Sequence, residues 1–140
     1  MSLWIIYALL SAISAAGVAI FGKLGIKNID STLATTVRSI VMALFLVIVS
    51  LSLHKFQQLS TINSKAWLFI ILAGIAGATS WLFYFYALKQ GPASGVAALD
   101  RLSVVFVLIL ATLFLGEKLS WYSALGALLI TGGAILMTLR

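Results

Sequence analysis

The 140-residue sequence has no cysteine, one proline, one histidine and three acidic residues. Without cysteine, disulfides, thiolate metal sites and cysteine nucleophiles are excluded. His54 alone does not make a metal cluster, so we expect no metal and no other cofactor. Charged residues make up only 9% of the chain, against roughly 25% in a soluble domain. So few charges do not suffice to build a surface that faces water.

Hydrophobic residues make up 63% of the chain, and most of them fall in long runs between short polar segments. A helix needs roughly 20 residues to cross a hydrocarbon core, and lipid offers no partner for the free amides of a strand. We therefore predict an all-α integral membrane protein with five transmembrane helices in a single domain over residues 1–140. The predicted spans are 3–22, 33–53, 66–88, 93–115 and 119–139.

Polar and turn residues mark the connections between the predicted spans. Asp30 and Ser31 form a plausible N-cap for the second helix. Pro92 suits the first turn of the fourth helix. The segment 116–118 is so short that the fourth and fifth helices are expected to be antiparallel neighbours.

The formal net charge is +6, yet the basic residues are scattered along the chain at the ends of apolar runs, as interfacial lysines are in membrane proteins. No cluster of them could contact a phosphate backbone, so nucleic-acid binding is not expected. One side of the membrane would carry three of these residues and the other side four, or five when Arg38 is counted. The first group is Lys55, Lys65 and Lys118, and the second is Lys23, Lys27, Lys89 and Arg140.

Charges inside the spans are the most informative residues. Asp100 and Arg101 lie about 11 Å into the fourth predicted helix, and Arg38 lies at a similar depth in the second, in one layer with Lys23. Such charges cost about 2.5–3.5 kcal/mol each and usually face a bundle interior or a wet cavity. Two interpretations stay open: this layer binds a charged substrate or relays a proton, or Asp100 and Arg38 form a structural ion pair while Arg101 reaches the interface.

A second candidate set is polar and aromatic. Tyr7, Ser11 and Ser14 share one face of the first helix, and Trp81 and Tyr84 share a face of the third. Such faces could line a cavity for organic cations or amino-acid-like solutes. The alternative is hydrogen bonding between helices by the serines, with the aromatic side chains facing lipid.

Several motifs occur in a characteristic order. They are Arg38 in the second span, Ala87-Leu-Lys-Gln-Gly-Pro-Ala at a turn, Leu115-Gly-Glu-Lys-Leu at the next turn, and a glycine-bearing last helix over 125–133. Together they resemble the EamA domain of the drug/metabolite transporter superfamily, over nearly the whole chain. Many relatives carry a proline in the middle of the fourth helix, where this chain has Ser103-Val104-Val105.

The resemblance implies a secondary transporter, an exporter or exchanger of small metabolites or drug-like solutes, that works by alternating access in the inner (cytoplasmic) membrane. Most relatives have two such repeats of opposite orientation. A single repeat is therefore expected to form an antiparallel homodimer or to pair with a paralogous subunit. The nearly even charge balance agrees with insertion in both orientations.

Other classes of protein remain as alternatives. They are an accessory or assembly subunit without transport activity and a subunit of a lipid-carrier flippase, which an open lateral gap between helices would favour. An enzyme is not expected, because no cluster of histidine or carboxylate groups lies at a predicted interface.

Overall fold

The computed structural model describes residues 2–139, which form helices and their connections without a β-strand in that range. The described α-helices are α1 (Leu3–Gly25), α2 (Ser31–Ser52), α3 (Ser64–Gln90), α4 (Ala93–Asp100), α5 (Ser103–Leu110) and α6 (Trp121–Leu136). A 3₁₀ helix, Lys55–Thr61, lies in the longest loop. The all-helical prediction is confirmed. Arg140, which entered the charge count, lies outside the described residues.

Four segments in the described range are long and apolar enough to cross a membrane. They are α1, α2, α3 and the segment Ala93–Leu115, which includes α4 and α5. The remaining apolar helix, α6, has 16 residues and rises about 24 Å, less than the roughly 30 Å of a hydrocarbon core. The chain is thus a multi-pass membrane protein, and its fifth span stays a prediction.

The helix ends differ from the predicted ones by a few residues. α1 continues to Gly25 and α3 continues to Gln90, because Lys23 and Lys89 stand in their last turns. A cation there interacts favourably with the carbonyl end of a helix, and a long lysine stem lets the ammonium group reach the polar boundary. A lysine after an apolar run therefore ends the apolar segment without ending the helix.

The N-caps account for where the helices begin. Asp30 caps α2 as predicted: its carboxylate accepts a hydrogen bond of 3.0 Å from the amide of Leu33, so α2 starts at Ser31 rather than at 33. Ser120 caps α6 in the same way, which moves the start of that helix from 119 to 121. Pro92 is itself the N-cap of α4, with extended backbone, and does not lie in the first turn as predicted.

The predicted fourth span is recovered as one apolar segment of membrane-spanning length, Ala93–Leu115, and its α-helical pattern is interrupted within it. α4 ends at Asp100 and α5 begins at Ser103. Between them, the amides of Arg101 and Leu102 donate to carbonyls three residues back, those of Ala98 and Leu99. These tighter bonds keep the backbone paired inside lipid while the α-helical pattern is interrupted. The break falls at the charged pair Asp100-Arg101, between the small residues of α4 and the strongly apolar α5.

A second irregularity follows α5. Ala111–Leu115 is a π-helical turn, which Gly116 ends with a φ of 68°. The amide of Glu117 then donates to the carbonyl of Ala111 at 3.2 Å. Gly116 suits this place because it adopts a left-handed backbone without steric cost.

The chain divides into two compact units. Unit 1 contains the described residues 2–22 and 90–139, and in it α4 and α5 pack against α6. Gly95 of α4 is buried there, with Thr138 close to its backbone. Unit 2 is Lys23–Lys89. Its buried side chains lie in the loop after α1, the start of α2 and the end of α3, and are Ile26, Ser31, Thr35, Phe85 and Leu88.

Most large apolar side chains of the described residues lie on the outside. Trp4 is 71% exposed, Phe45 64% and Phe114 80%. Apolar surface on this scale is unfavourable in water and marks a membrane or protein interface. Lipid, or lipid and another chain, must therefore cover these faces.

Candidate functional site

Arg38 lies within a membrane span, about 10 Å along α2 from its first residue. It is half-buried, and the centre of its guanidinium lies 3.7 Å from the centroid of the Trp81 ring. The ring of Phe85 lies 5.7 Å away. A cation held over the face of an aromatic ring is stabilised by the ring's electron-rich face, and more strongly where water is scarce.

The rings that surround Arg38 belong to one aromatic cluster on α3, which we call the α3 aromatic cluster: Trp81, Tyr84 and Phe85. The ring centroids of Trp81 and Tyr84 are 5.2 Å apart, edge to face, and Phe85 lies 6.3 Å from Trp81. These contacts follow from helical spacing, since residues three and four apart meet on one face. Phe85 is buried and so anchors the cluster.

The polar end of unit 2 is held by hydrogen bonds beside this cluster. The ammonium of Lys23 donates to the carbonyl of Leu88, and that of Lys89 donates to the carbonyl of Ile29 at 2.8 Å. The charged layer that Lys23 is predicted to share with Arg38 stays a prediction. These contacts tie the last turn of α1 and the loop before α2 to the end of α3.

A hydroxyl pair adds a direct link between the two helices. The hydroxyl oxygens of Thr32 on α2 and Tyr86 on α3 are 2.7 Å apart. The pair lies nearer the polar end than Arg38 does. It therefore holds in register the helices on which Arg38 and the α3 aromatic cluster stand.

Acidic groups are scarce in unit 2, since Asp30 is its only acidic residue. Asp30 is exposed, and the amide of Leu33 lowers the pKa of its carboxyl, with a smaller lowering from Lys89. It therefore stays ionised as a cap. Among the described residues of unit 2, no hydrogen bond or ion pair engages the N–H groups of Arg38.

Asp100 and Arg101 stand in unit 1 at the interruption between α4 and α5. Asp100 is the last residue of α4 and is half-buried, whereas Arg101 is exposed. The sequence placed both within the fourth span, and the structure places them where the α-helical pattern of that span is interrupted. The pairing of Asp100 with Arg38 stays a prediction.

The polar face of α1 is present as predicted. Tyr7, Ser11 and Ser14 all lie within α1 and are exposed. The hydroxyl of Ser14 donates to the carbonyl of Leu10 at 2.9 Å, within the same helix. Its oxygen keeps the capacity to accept a hydrogen bond. The role of this face in lining a solute path stays a prediction.

An open groove of about 350 Å³ lies between α5 and α6 in unit 1. Its walls are mostly apolar, and Glu117 and Ser123 contribute polar groups. Glu117 lies at the corner between the π-helical turn and α6. Its amide bond to Ala111 serves that corner, while its position at the groove is an addition from the structure.

Sequence reasoning had placed Arg38 and Trp81 in two separate candidate sets. The structure brings Arg38, Trp81 and Tyr84 together and adds Phe85, which had not been considered. The spacing of the three aromatic residues on α3 was visible in the sequence. The approach of Arg38 was not, because it depends on how α2 and α3 pack.

The fold and these charged and aromatic groups within its helices define a multi-pass membrane protein of the transporter type. The chain matches the EamA-like transporter family over residues 2–139. It belongs to that family, within the drug/metabolite transporter superfamily, whose members transport small solutes across membranes.

One relative is an "uncharacterized transporter in cobO 3'region" from a Sinorhizobium species. It is 44% identical over 134 residues, which cover 96% of this chain and 95% of the relative. No solved structure matches this chain.

Proposed function

We propose that the chain is a secondary transporter, an exporter or exchanger of small metabolites or drug-like solutes, that works by alternating access in the cytoplasmic membrane. The observation that carries the proposal is the family match over residues 2–139, together with a cation held by aromatic rings within a span. Intramembrane ionisable residues are costly and mark substrate or ion pathways in membrane proteins.

In this proposal Arg38 and the α3 aromatic cluster form part of the solute site. Asp100 and Arg101 belong to the path from the interrupted fourth span, and the α1 face of Tyr7, Ser11 and Ser14 contributes hydroxyl groups. A tightened, 3₁₀-like turn within a helix often marks a functional hinge, and the bonds of Arg101 and Leu102 form such a turn. The interruption after Asp100 supports this assignment.

The proposed working form is an antiparallel homodimer of five-span chains, with a paralogous subunit as the alternative partner. When two units with an odd number of spans follow one another in one chain, they have opposite orientations in the membrane. Two separate copies reach the same arrangement only if they insert in opposite directions. The relative named as a transporter has nearly the same length as this chain. That length supports a transporter built from units of this size.

The test is solute efflux from proteoliposomes that contain the purified full chain. The vesicles are loaded with a small-molecule extract of the host cell, and the released solutes are identified by mass spectrometry. We expect defined solutes to leave vesicles with the native chain and to be retained by protein-free vesicles and by Trp81→Leu. Equal release of solutes from all three preparations would contradict the proposal that this chain is a transporter.

A second candidate, a lipid-carrier flippase subunit, is favoured by the groove between α5 and α6, which is open and mostly apolar with Glu117 and Ser123 among its lining residues. A flippase would move a fluorescent lipid between leaflets in the same vesicles and would leave water-soluble contents in place. The two functions are thus separated by which cargo moves.

A further inference from the structure

We propose that the solute carried by this protein is an anion, and that its carboxylate or phosphate group binds the N–H edge of Arg38 while the α3 aromatic cluster holds the guanidinium from its face. The inference rests on the proposed transport function and adds the substrate class to it. Its basis is how Arg38 is stacked and which of its groups the stack leaves available.

The stack uses only one surface of the guanidinium. Trp81 lies 3.7 Å from its centre and Phe85 lies 5.7 Å away. A guanidinium is planar, and its N–H donors point outward in the plane, in a fork that matches a carboxylate or phosphate. Ring contacts at the face therefore fix the orientation of Arg38 without consuming the fork.

The fork has no acceptor within its own unit. Asp30 is the only acidic residue of unit 2. It caps α2 through Leu33, about 12 Å along the helix axis from Arg38. A cation inside lipid is costly unless it is paired. A soluble anion that enters the site would supply the missing acceptor and charge.

The same geometry disfavours a cationic solute. Aromatic faces attract organic cations, but here the face of Trp81 already carries the guanidinium of Arg38. A cationic solute could not bind the same face of Trp81 and would be repelled by the nearby guanidinium of Arg38. The sequence alone left organic cations and amino-acid-like solutes open, because it did not show that Arg38 occupies the ring.

The test follows Trp81 fluorescence in the full chain, after Trp4, Trp67 and Trp121 have each been replaced by phenylalanine. The protein is reconstituted in phosphatidylcholine nanodiscs and titrated with benzoate, phenyl phosphate, benzamide and benzylammonium, which share a ring and differ in charge. We expect a saturable response to at least one of the two anions, with the neutral and cationic probes binding about tenfold or more weakly.

Variants assign the response to Arg38. Arg38→Gln removes the charge and the fork, and we expect it to abolish the anion response. Arg38→Lys keeps the charge but loses the planar fork, and we expect about tenfold weaker binding. Lys65→Gln, which removes a cation at the opposite end of α3, serves as the matched control and is expected to bind like the parent.

Four results would overturn the proposal: preference for benzylammonium, no response to either anion, a response only to phosphatidylglycerol added to the nanodiscs, or anion binding only after Asp100→Asn. The third would identify a lipid headgroup as the anion, and the fourth an internal carboxylate. The outcome is separable from the proposed function. Efflux of cations alone would support the proposed transport function and contradict an anionic substrate. Anion binding without efflux would support the anion site and contradict the transport function.

Discussion

Arg38 and Asp30 show how differently two charged residues of the same unit are used. Asp30 stands outside the spans, is exposed, and satisfies a backbone amide at the start of α2. Arg38 stands within a span, where rings hold its face. The first is explained by local structure alone. The second is not, since a guanidinium without an acceptor among the described residues of its own unit is expensive to keep in lipid.

The role of Asp30 leads to a prediction about the first turn of α2. Asp30→Ala leaves the amide of Leu33 without its acceptor, and we expect that amide to exchange its hydrogen about fivefold faster. Asp30→Ser, which keeps a capping oxygen, is the matched control and should exchange nearly as slowly as the native chain. Equal exchange in the two variants would show that the cap does not hold this turn.

The cap also predicts a pH dependence. Hydrogen bonding in the folded chain lowers the pKa of Asp30 from its ordinary 3.8, so its stabilising contribution is fully present above that value. The contribution is lost as pH falls through the lowered pKa of the folded state. In the native chain, the rate of hydrogen exchange at the Leu33 amide, corrected for the intrinsic rate, should therefore increase only at strongly acidic pH. In Asp30→Ala the corrected rate should show no such increase, because the carboxyl group is absent.

At the scale of residues, the sequence predicted what depends on neighbours along the chain. The N-cap at Asp30 is confirmed because a capping side chain acts three residues away. The shared face of Trp81 and Tyr84 is confirmed for the same reason, since helical spacing determines it. The stacking of Arg38 on Trp81 was not predicted, because it depends on the approach of two helices.

Among the elements, the interrupted fourth span differs most from expectation. Asp100 ends α4, and the chain passes through tighter bonds before α5 begins. Asp100 is half-buried at this place. It is also the only acidic residue in the described range that lies well inside a predicted span.

We therefore predict that Asp100 couples transport to protons. Asp100→Asn should lose the stimulation of efflux by a pH gradient and should keep solute exchange between the two sides at equal pH, because asparagine carries no titratable proton. Arg101, the next residue in the sequence, is charged. The helix that packs against α4 is α6, and its only titratable side chain is Tyr122. The measurement is solute release from proteoliposomes with and without a gradient.

Glu117→Gln is the control for this experiment, since it removes an acidic group at the turn before α6 and should keep the stimulation. Retained stimulation in Asp100→Asn would exclude Asp100 as the coupling group. Loss of both activities would instead favour a structural role, which the sequence had left open as an ion pair with Arg38.

On the scale of the whole molecule, composition predicted more than any motif did. Few charges and long apolar runs require helices in lipid, and the structure has helices with outward-facing apolar side chains. The interruption at Arg101 and the π-helical turn were not predicted, because both lie within a segment that is long and apolar enough as a whole to cross a membrane. α6 is shorter than its predicted span, since Ser120 caps it and its described α-helical part ends at Leu136.

We propose that two chains of this kind build a transporter by pairing in opposite orientations, and the sidedness of the N-terminus distinguishes this arrangement from the others. Ser2→Cys introduces the only thiol, because the chain has no cysteine, and an impermeant reagent can label it from either side of the membrane. We predict labelling from both sides in comparable amounts. Labelling from one side alone would contradict the inverted homodimer and would leave pairing with a different subunit as the remaining arrangement.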